Sequence, residues 1–373
     1  MARDMTSAER IAAAVALEKP DRVPVGPLLD HYAATYTGIT KQEFMQNRKS
    51  RIGAILKTMK DLGPWDLTFL AETAIPALLK GAPARVRWPG VDLPADEIHQ
   101  FEEFELLTPD DYDLLQEQGL IALMKDVARR LYPEMGMLQG LKLGLGFAWE
   151  IRRHARMVRA AGAEPAVGFM LPGPLYEYFS LGRSLGPMSL DLYDRPDQVK
   201  AAGKRWAEEM TALAIRFAGL VKVPRVFIGL SRSSPELISP RHFEEFVLPE
   251  LEYMVHHLID AGLTPLFHCD TNWTKNFPLF RRFPAKKIIL ELDGFSDIFQ
   301  AKEILGDRMC IMGDVPAYLT AFKSKDEVMA YCRRLIQEVG KDGGFILSSG
   351  CSIPANAKAE NVKALAEAAQ EWG

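Results

Sequence analysis

The chain has 373 residues, enough for one large barrel or two ordinary domains, and its net charge of -4 gives no reason to expect nucleic acid or an anionic membrane as a partner. With 48% apolar and 25% charged residues it has the makeup of a globular protein with a sizeable core, and no stretch reaches the roughly 18 apolar residues of a membrane span. Four cysteines in a chain this long are no disulfide framework, and MARDMTSAER lacks the apolar core of a signal peptide, so a cytoplasmic protein with reduced thiols is expected.

Thr6-x-x-Glu9 is a capping box ahead of an apolar-periodic helix, which Pro20 and Pro24 stop. KQEFMQNRKSRIGAILKTMKDLG reads as a second helix. After it, short apolar runs alternate with longer amphipathic ones. Strands are predicted at 66–70, 166–171, 225–230, 264–268, 287–292, 309–313 and 344–349, and the less regular region 85–160 is expected to hold an inserted hairpin and helices. Continuous apolar strands separated by helix-length segments point to a buried parallel sheet. Seven or eight such units favour an α/β fold of the (β/α)8 barrel type over an open doubly wound sheet, and no G-x-G-x-x-G follows any strand. No repeat, low-complexity tract or linker marks a second domain.

In such a barrel the chemistry sits on loops after the C-terminal ends of the strands. That rule selects Ser231, Arg232 and Glu236 after RVFIGL, and His268, Cys269 and Asp270 after TPLF. It also selects Asp293 after KIILEL, Asp314 after MCIMG, and Cys351 after GFILSSG. His268 and Asp270 stand at i and i+2, so strand alternation points both the same way and turns Cys269 to the other side. Cys351 arrives from another strand end on the same barrel face. One imidazole, one carboxylate and one thiolate make three ligands with a fourth position open, the pattern of a catalytic zinc. Against this stands the ordinary case, in which a strand-end His is merely hydrogen-bonded and a lone Cys is a small buried hydrophobe. Cys310, inside a strand, and Cys332, inside a helix, are expected in the core, with Cys310 the less favoured further ligand. Asp293 and Asp314 read as catalytic acids, loop caps or helix N-caps. The basic run EIRRHARMVRAAG reads as a solvated helix face.

ERIAAAVALEKPDRVPV, VGFMLPGPLYEY (167–178), HCDTN (268–272) and SSGCSIPANAKAENVKAL (348–365) together resemble the uroporphyrinogen decarboxylase superfamily over nearly the whole chain. The resemblance implies one (β/α)8 barrel domain over 1–373 with an N-terminal helical extension, here 1–63. True decarboxylases of the superfamily carry an arginine-rich MRQAGR loop for their acidic tetrapyrrole. This chain has PVGPLLDHYAATY there, with Asp30 and His31 and no arginine, which argues against that chemistry.

The other branch comprises zinc-dependent methyltransferases that work with corrinoid proteins. Those that methylate thiols have His-x-Cys and a distant Gly-Cys; this chain matches at His268 and Cys351 but has Asp270 in place of the first cysteine. A carboxylate in place of a thiolate leaves a harder, more Lewis-acidic metal suited to oxygen. The resemblance therefore implies a methyltransferase of O-demethylase type. It would move a methyl from a small methyl ether, such as a methoxylated aromatic, to the Co(I) of a corrinoid protein. Zinc would act on the ether oxygen, with Asp293 or Glu236 as the acid. Asp30, His31, Phe169, Met170 and Tyr176, with Tyr178, are the candidate substrate-binding residues. The alternatives are transfer from a methyl-corrinoid to a thiol, a uroporphyrinogen-decarboxylase-type lyase, and a barrel that only binds.

Overall fold

Thr6 caps the first helix, Ser7–Val15, through the expected reciprocal box with Glu9. The computed structural model describes residues 4–134 and 136–373. Its strands in chain order are β1 (Leu67–Thr68), β2 (Arg85–Arg87), β3 (Gln100–Glu102), β4 (Glu164–Pro165), β5 (Phe169–Leu171), β6 (Arg225–Leu230), β7 (Thr264–Cys269), β8 (Ile289–Leu292), β9 (Cys310–Val315) and β10 (Phe345–Ser349). β5 to β10 lie side by side in sequence order and every neighbouring pair is parallel.

Shorter stretches carry this sheet round into a ring. Val25 and Leu28 bridge in parallel to Leu347 and Ser352, beside β10. The Val25 carbonyl accepts from the amides of Asp66 and Leu67, at the start of β1. β1 pairs in parallel with β4, and the Gly168 amide, between β4 and β5, donates to the Arg225 carbonyl of β6. Counting 24–28 as one stretch and β4–β5 as another, eight parallel stretches surround one interior, the (β/α)8 architecture. β2 and β3 form an antiparallel ribbon outside it.

Alternation along the strands sorts the apolar residues into two cores. Leu67, Phe69, Phe227, Leu266, Ile289, Cys310, Met312 and Ile346 fill the barrel interior, and Ile11 and Ala14 of the first helix close its lower end. Residues of opposite parity, such as Phe267, Cys269, Leu290 and Ile311, pack outward against the helices.

Two sequence expectations change. The second helix is broken into Lys41–Gln46 and Arg48–Leu62, because Asn47 is extended and its side chain accepts from the amides of Lys49 and Ser50 to start a new helix. The basic helix Met137–Ala160 is not only a solvated face: it buries Glu150, which pairs with Arg48 and Arg51, and His154. Among the described residues no helix is long and apolar enough to cross a membrane.

The fully buried Asp66 joins the first helix, the entering strand and β1. It accepts from Arg10 Nη1 at 2.6 Å, Arg22 Nη1 at 2.7 Å, Ser7 Oγ at 3.0 Å and the Val25 amide at 3.0 Å. Asp66→Ala would strand Arg22, leave the nearly buried Arg10 only its pair with Asp21, and unpair the Val25 amide. Its expected cost is about 3–5 kcal/mol of unfolding free energy, read from the shift in urea midpoint at neutral pH.

Candidate metal centre

β7 ends in the residues of interest. Its alternation sends Cys269 outward into the helix-packed core and turns His268 inward, where the ring stacks on Phe227 with centroids 5.0 Å apart. On β8 the register partner of His268 is Glu291, and His268 Nδ1 lies 2.7 Å from the buried Glu291 Oε2. With Nδ1 held, Nε2 is the nitrogen free to face the cavity. It stands 3.2 Å from Asp270 Oδ1 and 3.7 Å from Cys351 Sγ. Ser231 Oγ donates to the other Asp270 oxygen at 2.5 Å, which leaves Oδ1 for the site.

One ligand atom from each of His268, Asp270 and Cys351 lies within 4.8 Å of the other two. Zinc bonds of about 2.0–2.3 Å set tetrahedral nitrogen–oxygen and nitrogen–sulfur pairs roughly 3.3–3.6 Å apart. The two measured separations to Nε2 are close to that, so the donor set fits the ion in both chemistry and spacing. Desolvation acts to depress His268, but Glu291 and Asp270 outweigh it and hold its pKa well above the usual imidazole range. The same His268 contact pulls Asp270 down against the opposing effect of burial. Burial drives the Cys269 thiol well above its ordinary value, as expected for a packed, neutral side chain.

The surrounding backbone is built for these positions. A Cβ on Gly350 would stand 2.2 Å from the Asp293 carbonyl oxygen, so only glycine can precede Cys351 here. Asp30, Ala71 and Thr271 adopt positive φ of 41°, 54° and 67°, a region that non-glycine residues enter at a cost. Two of them line the cavity and the third follows Asp270 directly. The Leu28 amide donates to Ser349 Oγ and the Ile353 amide to the Leu28 carbonyl, which ties the segment bearing Asp30 to the end of β10.

The triad lies in the wall of a cavity of about 380 Å3. Leu28, Phe69, Phe101, Met170 and Phe227 supply its apolar wall; Asp30, Glu72, Thr73, Ser231 and Ser352 supply polar groups. Glu72 is only 4% exposed, its Oε1 has no hydrogen-bond partner, and burial pushes its carboxyl up to about 8.

Of the residues singled out in the sequence, Ser231, His268, Asp270, Cys351, Asp30 and Met170 meet at this cavity; the others are placed elsewhere. His31 is buried behind Asp30, with Nε2 3.1 Å from His99 Nδ1. Phe169 has the parity opposite to Met170 and packs outward on Phe217. Tyr176 is buried in the helix Leu175–Gly182, and the Tyr178 hydroxyl donates to the Gly81 carbonyl. Glu236 is exposed beside a separate groove with Asn272, Lys275 and Phe295. Asp293 spends both oxygens on the amides of Thr271 and Phe295, which makes it a loop brace. Asp314 accepts from the Tyr331 hydroxyl. Cys310 sits low in the barrel, in register with Ile289 and well below the strand ends; Cys332 is buried in a helix.

Sequence reasoning missed Glu291, although a single acid at the inward parity of KIILEL was a usable signal. It also missed Glu72, whose burial depends on the left-handed turn at Ala71 and had no local sign. Glu177, also missed, braces the loop that carries Ser231 by accepting from the amides of Ser231, Arg232 and Ser233.

Residues 187–372, which include β6 to β10 and all three triad residues, match the family model for uroporphyrinogen decarboxylase (URO-D). The chain belongs to the uroporphyrinogen decarboxylase superfamily. A solved structure of a methyltransferase from Methanosarcina mazei shares the superfamily chain's fold over 99% of both chains, with a TM-score of 0.71 and 17% identity. A probable 3-DHS dehydratase, AsbF, from Bacillus anthracis matches over 62% of this chain and 85% of its own, at 11% identity and TM-score 0.37. A xylose isomerase domain protein from Planctomyces limnophilus matches over 59% and 82%, at 16% and 0.33. Neither of these two bears on the site. No curated protein sequence gives a significant match.

Metal content tests the assignment of ligands. Protein loaded with zinc and then desalted should hold about one ion per chain. Cys351→Ser and His268→Ala should each lose most of it. Cys269→Ala should keep it and lose only about 1 kcal/mol of stability. Full zinc in Cys351→Ser, by elemental analysis, would remove that cysteine from the site.

Proposed function

We propose that the protein is a methyltransferase that removes the methyl group of a methyl ether, a methoxylated aromatic, and passes it to a corrinoid protein. The observation that carries this reading is the mixed imidazole–carboxylate–thiolate triad in the wall of an aromatic-walled cavity. The methyltransferase named among the fold relatives supports the same general chemistry.

His268 Nε2, Asp270 Oδ1 and Cys351 Sγ would hold zinc. When bound, zinc supplies Lewis acidity toward an oxygen donor, and Co(I) on the partner supplies the nucleophile that takes the methyl. The chain's own residues prepare that event. Glu291 accepts from His268 Nδ1, so that Nε2 is the nitrogen that would give up its proton and offer a lone pair to the metal. Ser231 turns Asp270 so that one oxygen faces inward. Phe69 and Phe227 exclude water around the ring to be demethylated. Glu72, rather than Asp293 or Glu236, is the acid: it lines the cavity and holds a proton at neutral pH for the departing oxygen. No lysine or arginine lines the cavity among the described residues, which opposes a tetrapyrrole decarboxylase.

Incubating the zinc-loaded protein with a Co(I) corrinoid and a panel of methoxylated aromatics should release a free phenol and bleach the Co(I) absorbance for at least one member. Cys351→Ser should abolish both signals. If no ether reacts, while a methylated corrinoid is consumed by an added thiol, the transfer runs the other way and this reading fails.

The pH profile tests Glu72 separately. Its pKa is raised, so the acid form is present below about 8 and lost above it. kcat/KM should therefore be level up to about pH 8 and then fall, and Glu72→Gln should lower it about 100-fold and remove that alkaline limb. An unchanged limb in Glu72→Gln would assign the proton to another group.

A further inference from the structure

The cavity's charge is one-sided. Among the described residues its charged or titratable wall groups are Asp30, Glu72, Asp270 and His268, besides the Cys351 thiol; no lysine or arginine is among them, and His268 is taken up by Glu291 and Asp270. Asp30 carries a hydroxyl donor on each oxygen, Thr73 Oγ1 at 2.5 Å and Ser352 Oγ at 3.0 Å. A carboxylate oxygen has room for a second donor, so Asp30 can still accept from a ligand. Among the described residues no lysine or arginine forms an ion pair with it. His31 Nδ1 is 3.9 Å away, but burial lowers its pKa and leaves it neutral. Arg232, next to Ser231, turns away to Ser180 and Glu103.

Apart from three hydroxyl side chains the remaining wall is apolar, and about 380 Å3 is the low end of small-molecule sites, which run from about 300 to 1,000 Å3. That size suits a single ring packed among Phe69, Phe101, Phe227 and Met170. An aryl carboxylate turned toward Asp30 would bring a second negative charge to its desolvated side, with no lysine or arginine in the wall to neutralise it. A zinc ion held by the triad already has its charge balanced by Asp270 and the Cys351 thiolate. A quaternary ammonium would suit the charge but has no lone pair to offer a metal held by the triad.

We propose that this cavity selects an uncharged methoxyarene bearing a ring hydroxyl, which Asp30 accepts, and rejects methoxylated aryl carboxylates. The proposal rests on the methyl-ether reading above and gives its substrate a charge class. The discrimination rests mainly on charge, because both Asp30 oxygens already hold a hydroxyl donor and stay paired when a ligand offers none.

Calorimetric titration of the zinc-loaded protein, without corrinoid, compares 2-methoxyphenol, 3-methoxybenzoate and tetramethylammonium. The phenol should bind at least about tenfold more tightly than either of the others. Asp30→Asn should shrink the gap between phenol and benzoate. Thr73→Lys, which sets a cation beside an unaltered Asp30, should raise benzoate affinity even if Asp30→Asn does not fold. Benzoate or tetramethylammonium binding as tightly as the phenol overturns the proposal, as does a ratio that neither folded variant moves. Binding is read apart from turnover, so the two readings fail separately. The binding order persisting without methyl transfer would refute only the demethylase reading. Methyl transfer from methoxybenzoates as fast as from phenols would refute only this one.

Discussion

A buried carboxylate on one nitrogen of a single histidine, Glu291 on His268 Nδ1, is the contact on which the site depends. It ties the orientation of the ring to the register between β7 and β8, since the two residues are direct partners across that pair. It also fixes the roles of the two ring nitrogens: one is spent inside the barrel and the other must face the strand ends. Glu291 is fully buried, a position a carboxylate tolerates only when strongly paired. The barrel thus accepts a costly acid in its interior to hold one imidazole ring in one orientation.

Around that dyad the remaining parts come from distant segments and are held by backbone rather than by long side chains. Glu177 gathers three consecutive amides of the β6 loop, and that loop delivers Ser231 to Asp270. The Gly350–Asp293 contact sets the path of the turn that presents Cys351. The entering segment 24–28 hydrogen-bonds with β10 on one side and with the start of β1 on the other, so closing the ring also sets Leu28 and Asp30 at the cavity. Asp66 holds the same segment from below. Barrel closure and site assembly therefore share one piece of chain.

The carboxyl groups on this face divide by what they touch. Asp270 is exposed enough to serve as a ligand and is pulled down by His268. Asp293 gives its oxygens to amides and shapes a loop. Glu72, buried with one oxygen unpaired, is the group that can keep a proton in neutral solution. Environment, not residue type, separates the candidate ligand, the loop brace and the proposed acid.

Much of this was legible in the chain itself. Apolar runs marked six of the ring's strands nearly to their ends, because a strand buried on both faces must be apolar throughout. The Thr6 cap was local chemistry, and so was the parity that joins His268 to Asp270 and turns Cys269 away, since a period of two needs no tertiary information. The short entering strand at 24–28 was not legible: its pairing depends on β10, more than 300 residues later. Nor was the break at Asn47, where a cap overrides a continuous helical pattern. The same holds for the groups that decide chemistry. Whether Asp293 is acid or brace, whether His31 faces a ligand or His99, and whether Glu72 is wet or buried are set by contacts from other strands and loops. Local sequence determined which way each strand-end side chain points; only the closed barrel decided what it meets there, because desolvation and hydrogen bonding are properties of the assembled neighbours.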